Sequence, residues 1–121
     1  MKDIRLGVIE ERFAGMIWDN EPVPSGELAA MAEAELSWKK STTYTILKRL
    51  CDRGIFQNEN GIVTSLISRE LFYSIQSEKF VDETFHGSLP AFLAAFSKRR
   101  ACSDDEIEEM KQLIEKMREK K

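Results

Sequence analysis

The stretch Trp38-Lys39-Lys40-Ser41-Thr42-Thr43-Tyr44-Thr45-Ile46-Leu47-Lys48-Arg49-Leu50 decides how the rest of the chain is read. Projected at about 100° per residue, Thr43, Ile46, Leu47 and Leu50 gather on one side of a helix. Ser41, Thr45, Lys48 and Asp52 fall opposite, and Thr42, Tyr44 and Arg49 lie on the flanks. One face is built to be buried. The other offers short hydroxyls and cations, with one acid at its far end. That mixture suits phosphates and base edges in a DNA groove. Taken alone, it also suits an ordinary lysine-bearing surface helix, so the decision rests on what surrounds it.

At 121 residues the chain fits one ordinary domain, or one small domain with an assembly element. An apolar share of 42% allows a packed core, and a charged share of 32% fits a helix-rich soluble protein. The net charge of −3 argues against a general polyanion binder, so any contact with nucleic acid must be local. Residues 36–53 carry that local bias: Lys39, Lys40, Lys48, Arg49 and Arg53 against Asp52 leave the segment at +4. The two cysteines, Cys51 and Cys102, form neither a disulfide framework nor a metal-spaced cluster. No cofactor is expected, and a reducing, cytoplasmic location is the simplest assignment. Neither an export signal nor a run of about 18 apolar residues is present, so no membrane insertion is expected.

Upstream, Ile4 to Trp18 reads as a first helix, with Ile9, Phe13, Met16 and Ile17 on a buried stripe. Asp19-Asn20-Glu21-Pro22-Val23-Pro24 stops it. Ser25 is the expected N-cap of a second helix over about 25–35, with Leu28, Met31 and Ala32 inward. The third helix is the decisive one. Its cap is open between Ser37 and Ser41, since lysine at position 39 is a poor N-cap. It ends at Arg53-Gly54, where glycine suits a left-handed C′ residue. Asn60-Gly61, inside Ile55 to Leu66, is the strongest hairpin signal in the chain. Three helices followed by one hairpin is the order of a winged helix-turn-helix, with helix 3 reading DNA and the hairpin as wing.

Beyond residue 68 the pattern changes. Arg69 to Phe85 is helical in composition. Leu71, Phe72, Ile75 and Phe85 share a side, while Phe80 and Val81 point elsewhere, which predicts more than one neighbour. Ser88 caps a short helix with Pro90 in its first turn and Leu89, Phe92, Leu93 and Phe96 on one stripe. Ser103-Asp104-Asp105-Glu106 is a capping box, followed by the stripe Ile107, Met110, Leu113, Ile114 and Met117. Three helices in about 50 residues make a thin core, so burial against a second copy of the chain is expected. The division predicted is a winged helix-turn-helix over 1–70 and a helical dimerisation domain over 71–121. The overall class is mainly α with a small β-hairpin.

At this point the chain resembles the penicillinase-repressor family of bacterial transcriptional regulators. The likeness is carried by Ile17-Trp18, Trp38, and Thr42-x-x-Thr45-x-Leu47-x-Arg49-Leu50. It continues through Arg53-Gly54-Ile55, Ser68-Arg69-Glu70, and Gly87-Ser88-Leu89…Phe96…Ser103-x-Asp105-Glu106-Ile107-Glu108-Glu109. It covers about residues 6–115. No piece is a strict motif; the order and spacing together are specific. The resemblance implies a homodimer that sits on a palindromic DNA operator and blocks transcription. Two recognition helices would enter successive major grooves roughly 34 Å apart. Family base and phosphate contacts carry over to Ser41, Thr42, Tyr44 and Thr45, to which the helical wheel adds Lys40, Lys48 and Arg49. The implied dimer face uses Leu71, Phe72, Ile75, Phe85, Leu89, Phe92, Leu93, Phe96, Ile107, Met110 and Ile114.

Three departures bear on the expectation. Members of the family often carry a basic residue where this chain has Tyr44, and tyrosine cannot make arginine's bidentate contact to guanine. The wing, Gln57 to Thr64, has no lysine or arginine and contains Glu59, so it should add little affinity for phosphate. In antibiotic-sensing members a membrane sensor peptidase is implied as partner, and the repressor is cut in the short helix of the dimer domain. The matching bond is Ala95–Phe96, with alanine where those members have asparagine. The copper-responsive members have a cysteine-rich C-terminal tail. This chain ends Met117-Arg118-Glu119-Lys120-Lys121, so metal sensing of that type is not expected.

An enzyme is not expected. The single histidine, His86, stands beside a helix-breaking Gly-Ser with no base or metal partner in sequence. The acid pairs Asp104-Asp105 and Glu108-Glu109 are accounted for by capping and a solvated face. Lys98-Arg99-Arg100 reads as a solvated loop. The rival reading is a winged-helix module used for protein–protein contact with little or no DNA binding. The acidic balance and neutral wing favour it, and fold alone does not decide between the two.

Overall fold

Residues 6–119 are described in a computed structural model. The first helix, α1 (Val8–Asn20), buries Phe13, Ala14, Met16 and Ile17. The expected start at Ile4 lies outside the described residues. At its other end the helix runs two residues past Trp18 and stops where Glu21, the residue before Pro22, turns extended at ψ 146°.

A short strand follows that the sequence reading missed. β1 (Val23–Pro24) pairs antiparallel with β3 (Ile62–Ser65), which also pairs with β2 (Phe56–Glu59); the sheet order is β1-β3-β2. The expected hairpin is therefore the larger part of a three-stranded sheet. Two residues ending in proline carry no alternation to read, and only their partner across the sheet makes them a strand. The hairpin itself turns at Asn60-Gly61, with φ 54° and 81°, and Glu59 faces Ile62 across the two-residue loop. Both turn residues are left-handed, as the hand of the sheet requires.

The helix α2 (Ser25–Leu36) corrects a second expectation. Pro24 holds the N-cap position and Ser25 is the first helical residue, with no side-chain cap. The Ser25 N–H instead donates to the carbonyl of Gly61, 2.8 Å away, tying the helix start to the tip of the wing. Ser37, at φ 57°, closes α2, and Trp38 follows with its ring 5.1 Å from that of Phe13. The helix α3 (Lys40–Asp52) then starts from Lys39, whose side chain makes no cap bond. Serine caps at 37 or 41 are thus not used: Ser37 is occupied in ending the previous helix, and Ser41 is already helical.

The core lies among α1, α2, α3 and the sheet: Phe13, Ile17, Leu28, Leu47, Leu50, Ile55, Phe56, Val63 and Phe72 are essentially inaccessible. Phe72 comes from α4 (Arg69–Phe85). Its ring packs 5.1 Å from Trp18, and Ile75 packs on the same core. Phe72 was expected on a dimer face. Full burial within the chain removes it from that set.

The described residues up to Glu78 make one compact unit and those from Lys79 onward a second, with the division falling inside α4. In the second unit His86 at φ 51° and Gly87 at φ 81° end α4. Ser88 Oγ accepts from the Ala91 N–H at 3.1 Å to start α5 (Leu89–Ser97). Ser103 and Glu106 cap α6 (Asp104–Glu119) reciprocally, at 3.1 Å in each direction. Phe80, Phe85 and Phe92 meet edge to face at 5.6–6.2 Å. The chain is a winged helix-turn-helix followed by a helical segment.

Candidate nucleic-acid interface

The seat of α3 is fixed before any polar chemistry is added. Thr43, Leu47 and Leu50 are buried on its inner side and Ile46 packs against the same core. The buried Thr43 hydroxyl is satisfied by donating to the carbonyl of Lys39 at 3.3 Å. At the far end the Gly54 N–H reaches the carbonyl of Cys51 (2.9 Å) and the Ile55 N–H that of Leu50 (3.2 Å). With Gly54 at φ 81°, this is a Schellman closure, and it delivers Ile55 straight into the core. The Cys51 thiol beside it is pushed up by burial first and by the neighbouring Asp52 carboxylate second, so it stays neutral and packs.

What remains outside is the polar strip. Lys40, Ser41, Thr42, Thr45, Lys48 and Arg49 are exposed, which the wheel requires of Ser41, Thr45 and Lys48. Thr45 donates its hydroxyl to the carbonyl of Ser41 at 2.9 Å, which leaves its oxygen free to accept. Lys48 Nζ lies 3.5 Å from Asp52 Oδ2, one turn along, with both side chains well solvated. A pair so exposed is weak and is readily exchanged for another anion.

The two flanking residues are different. Tyr44 is half-buried, and its hydroxyl donates to Ser25 Oγ at 3.4 Å, across to the start of α2. Arg49 Nη1 lies 3.5 Å from Glu10 Oε2 in α1. Of the seven residues assigned to DNA from sequence, five therefore present free polar ends along α3, counting Lys48 with its exchangeable partner, and two reach back into the fold.

The wing adds no cation. Gln57 Nε2 donates to Thr64 Oγ1 at 3.1 Å across the hairpin, and Asn58, Glu59 and Asn60 are exposed. A shallow open cleft of about 370 Å³ runs between α3 and β2, lined by Tyr44, Leu47, Lys48, Cys51 and Asn58.

Sequence reasoning missed the residues that hold the frame. Glu21 accepts from the Ser65 N–H at 2.8 Å and from its hydroxyl, clamping the link after α1 to β3. Arg69 reaches Asp19 Oδ1 at 2.7 Å and the carbonyl of Gly15 at 2.9 Å, with its guanidinium 5.6 Å from the Trp18 ring. The Trp18 indole N–H donates to the carbonyl of Ile67 at 3.0 Å. Only Trp18 and Arg69 carried a signal in sequence, as two of the residues behind the family resemblance. The contacts they make, and that of Glu21 with Ser65, span 44 to 54 residues and leave no local trace.

The residues assigned to a dimer face, apart from Phe72, keep accessible surface. Leu71, Leu89, Leu93, Phe96, Ile107 and Ile114 are each between 39% and 53% exposed. Ile75, Phe85, Phe92 and Met110 are half-buried. Leu93, Phe96, Ile107, Met110 and Ile114 line one apolar groove between α5 and α6, about 390 Å³ in volume, with Cys102 at its edge. Ala95 and Phe96 are both exposed on α5. Among the described residues no helix is long and apolar enough to cross a membrane.

The penicillinase repressor family matches residues 6–116. The chain is 22% identical over 119 residues to the methicillin resistance regulatory protein MecI of Staphylococcus aureus strain Mu50, an alignment that spans 95% of this chain and 97% of that protein. It is also 22% identical over 110 residues to the penicillinase repressor of Bacillus licheniformis, spanning 88% of this chain and 86% of that one. With the match running from α1 into α6 over a winged helix-turn-helix of the expected order, the chain belongs to the penicillinase repressor family.

Proposed function

We propose that the protein is a homodimeric DNA-binding transcriptional repressor that reads a palindromic operator with one α3 from each subunit. The observation that carries this reading is α3 itself. Its inner side is locked into a dry core, while Lys40, Ser41, Thr42, Thr45 and Lys48 stand exposed along its outer side. A rigid helix with hydroxyls and cations on one face is what major-groove readout needs. The names of the relatives, a penicillinase repressor and a methicillin resistance regulator, agree with it.

Residues 1–70 supply the reading head and residues 71–121 the dimer contact, through the exposed stripes of α5 and α6. The first turns of α4 are shared out differently, since Phe72 and Ile75 serve the core of the reading head. The repressor is released by a membrane sensor peptidase cutting Ala95–Phe96. That bond lies inside a helix, where the Ala95 carbonyl accepts from Lys98 N–H at 3.3 Å, so α5 must open locally first. Incubation with the cognate peptidase should yield two fragments; an intact chain would remove this step.

The protein-partner reading draws support from the wing, whose exposed tip carries Glu59 and no cation. A salt titration on duplex DNA selected by the protein separates the two. Repressor binding weakens steeply with salt, by a logarithmic slope of about −0.9 per phosphate neutralised. Lys48→Ala should reduce that slope by about 0.9. A folded dimer that binds no duplex would leave the protein-partner reading standing.

A further inference from the structure

Arg49 and Tyr44 both sit beside the exposed strip of α3, and both were assigned to DNA from sequence. Five residues apart on a helix, they lie about 140° from each other, one on each flank of Ser41, Thr45 and Lys48. Each spends its polar end inside the chain. The Tyr44 hydroxyl donates to Ser25 Oγ, and Arg49 faces the carboxylate of Glu10.

The partners are themselves anchored. Ser25 is held by its N–H to the carbonyl of Gly61 at the wing tip. Glu10 uses its two oxygens for two tasks: Oε1 accepts from the Gly7 N–H at 3.2 Å, and Oε2 faces Arg49. The first bond satisfies a free donor at the start of α1. Glu10 is also the more sheltered partner, 19% exposed at the side chain against 50% for Arg49. One flank of α3 is thus braced to α2 and the wing, and the other to the first turn of α1.

We propose that Tyr44 and Arg49 are positioning residues that fix the rotation of α3 from its two flanks, leaving the strip Ser41, Thr45 and Lys48 between them to read DNA. Rotation is the coordinate that decides which side chains face a groove, and the apolar seat constrains it only as finely as packing allows. Two polar struts on opposite flanks constrain it further. Arg49 therefore neutralises Glu10 rather than a phosphate, and Tyr44 gives no base readout. The inference rests on α3 being the reading helix.

The test uses duplex DNA selected from a random pool by the unmodified protein, with affinity measured across a salt series. Arg49→Gln should weaken binding about two- to five-fold, the scale of an exposed ion pair, with the salt slope unchanged. Glu10→Gln should do the same, and the double variant should be no worse than either single one. Tyr44→Phe and Ser25→Ala should behave as a second such pair. Circular dichroism melts on each variant verify that the fold is retained.

A drop in slope near 0.9 for Arg49→Gln would show a phosphate contact and overturn the assignment. Tighter binding by Glu10→Gln would do so too, since it would mean a freed arginine. For Tyr44, a full Tyr44→Phe penalty persisting in the Ser25→Ala background would show direct contact with DNA. Failure of the unmodified protein to bind any duplex would overturn the functional reading, and this inference with it.

Discussion

The two units of this chain bury themselves to very different degrees. In the unit up to Glu78, three phenylalanines and a set of aliphatic side chains, drawn from four helices and a sheet, are essentially inaccessible. In the unit from Lys79, no residue of α5 or α6 is buried, although their apolar stripes are as regular as any in the chain. Both sequences promise amphipathic helices, but only the first unit has a sheet and crossing helices to close over its stripes. The second has the last turns of α4, the helices α5 and α6, and a groove left open between those two. A stripe specifies that a face is to be covered and does not say by what.

The largest test of this contrast is Leu47→Ala. Leu47 is 2% exposed, and emptying its site should cost about 2–5 kcal/mol in urea unfolding, independent of protein concentration. Leu93→Ala should behave in the opposite way. Leu93 is 42% exposed in the single chain, so its loss should act through the proposed dimer, raising its dissociation constant on the order of ten-fold in sedimentation. A monomer at micromolar concentration in the unmodified protein would break the contrast outright.

Trp18→Phe is a smaller probe of the first unit. It keeps ring packing near Phe56 and Phe72 but strands the Ile67 carbonyl, a cost of about 1 kcal/mol seen as a lowered melting temperature. The smallest effect belongs to α6. The backbone N–H of Ser103, and next its hydroxyl, hold the Glu106 carboxyl below the ordinary carboxylate range. A carboxyl depressed in the folded state stabilises it fully above the unfolded value and ceases to do so as pH falls through the folded one. The protection of amides at the start of α6, measured against their intrinsic exchange rate at each pH, should therefore fall on acidification through that window. Glu106→Gln should remove the pH dependence.

Much of the winged unit could be read from sequence because its signals are local. The stripe of α3, the left-handed Gly54 and the Asn60-Gly61 turn each need only neighbouring residues to be meaningful. The candidate site was legible to the same depth. Ser41, Thr45 and Lys48 lie outward because the wheel that buries Leu47 and Leu50 leaves them no other side. Tyr44 and Arg49 could not be placed this way. Their partners are 19 and 39 residues distant, and a flank position on a wheel is compatible with solvent, DNA or another helix. Ser25 failed for a related reason: it has the chemistry of an N-cap, but the preceding proline already holds that position and the wing claims its N–H.

The sequence by itself determined the order of the helices and the hairpin, the chemistry of the hairpin turn and which face of each helix is apolar, since these follow from periods and propensities along the chain. The tertiary structure alone decided that Val23-Pro24 is a strand, that Phe72 belongs to the core of the winged unit, and that Glu10 and Ser25 flank α3. Those facts depend on groups that meet only when distant segments pack, and no period or propensity records such a meeting.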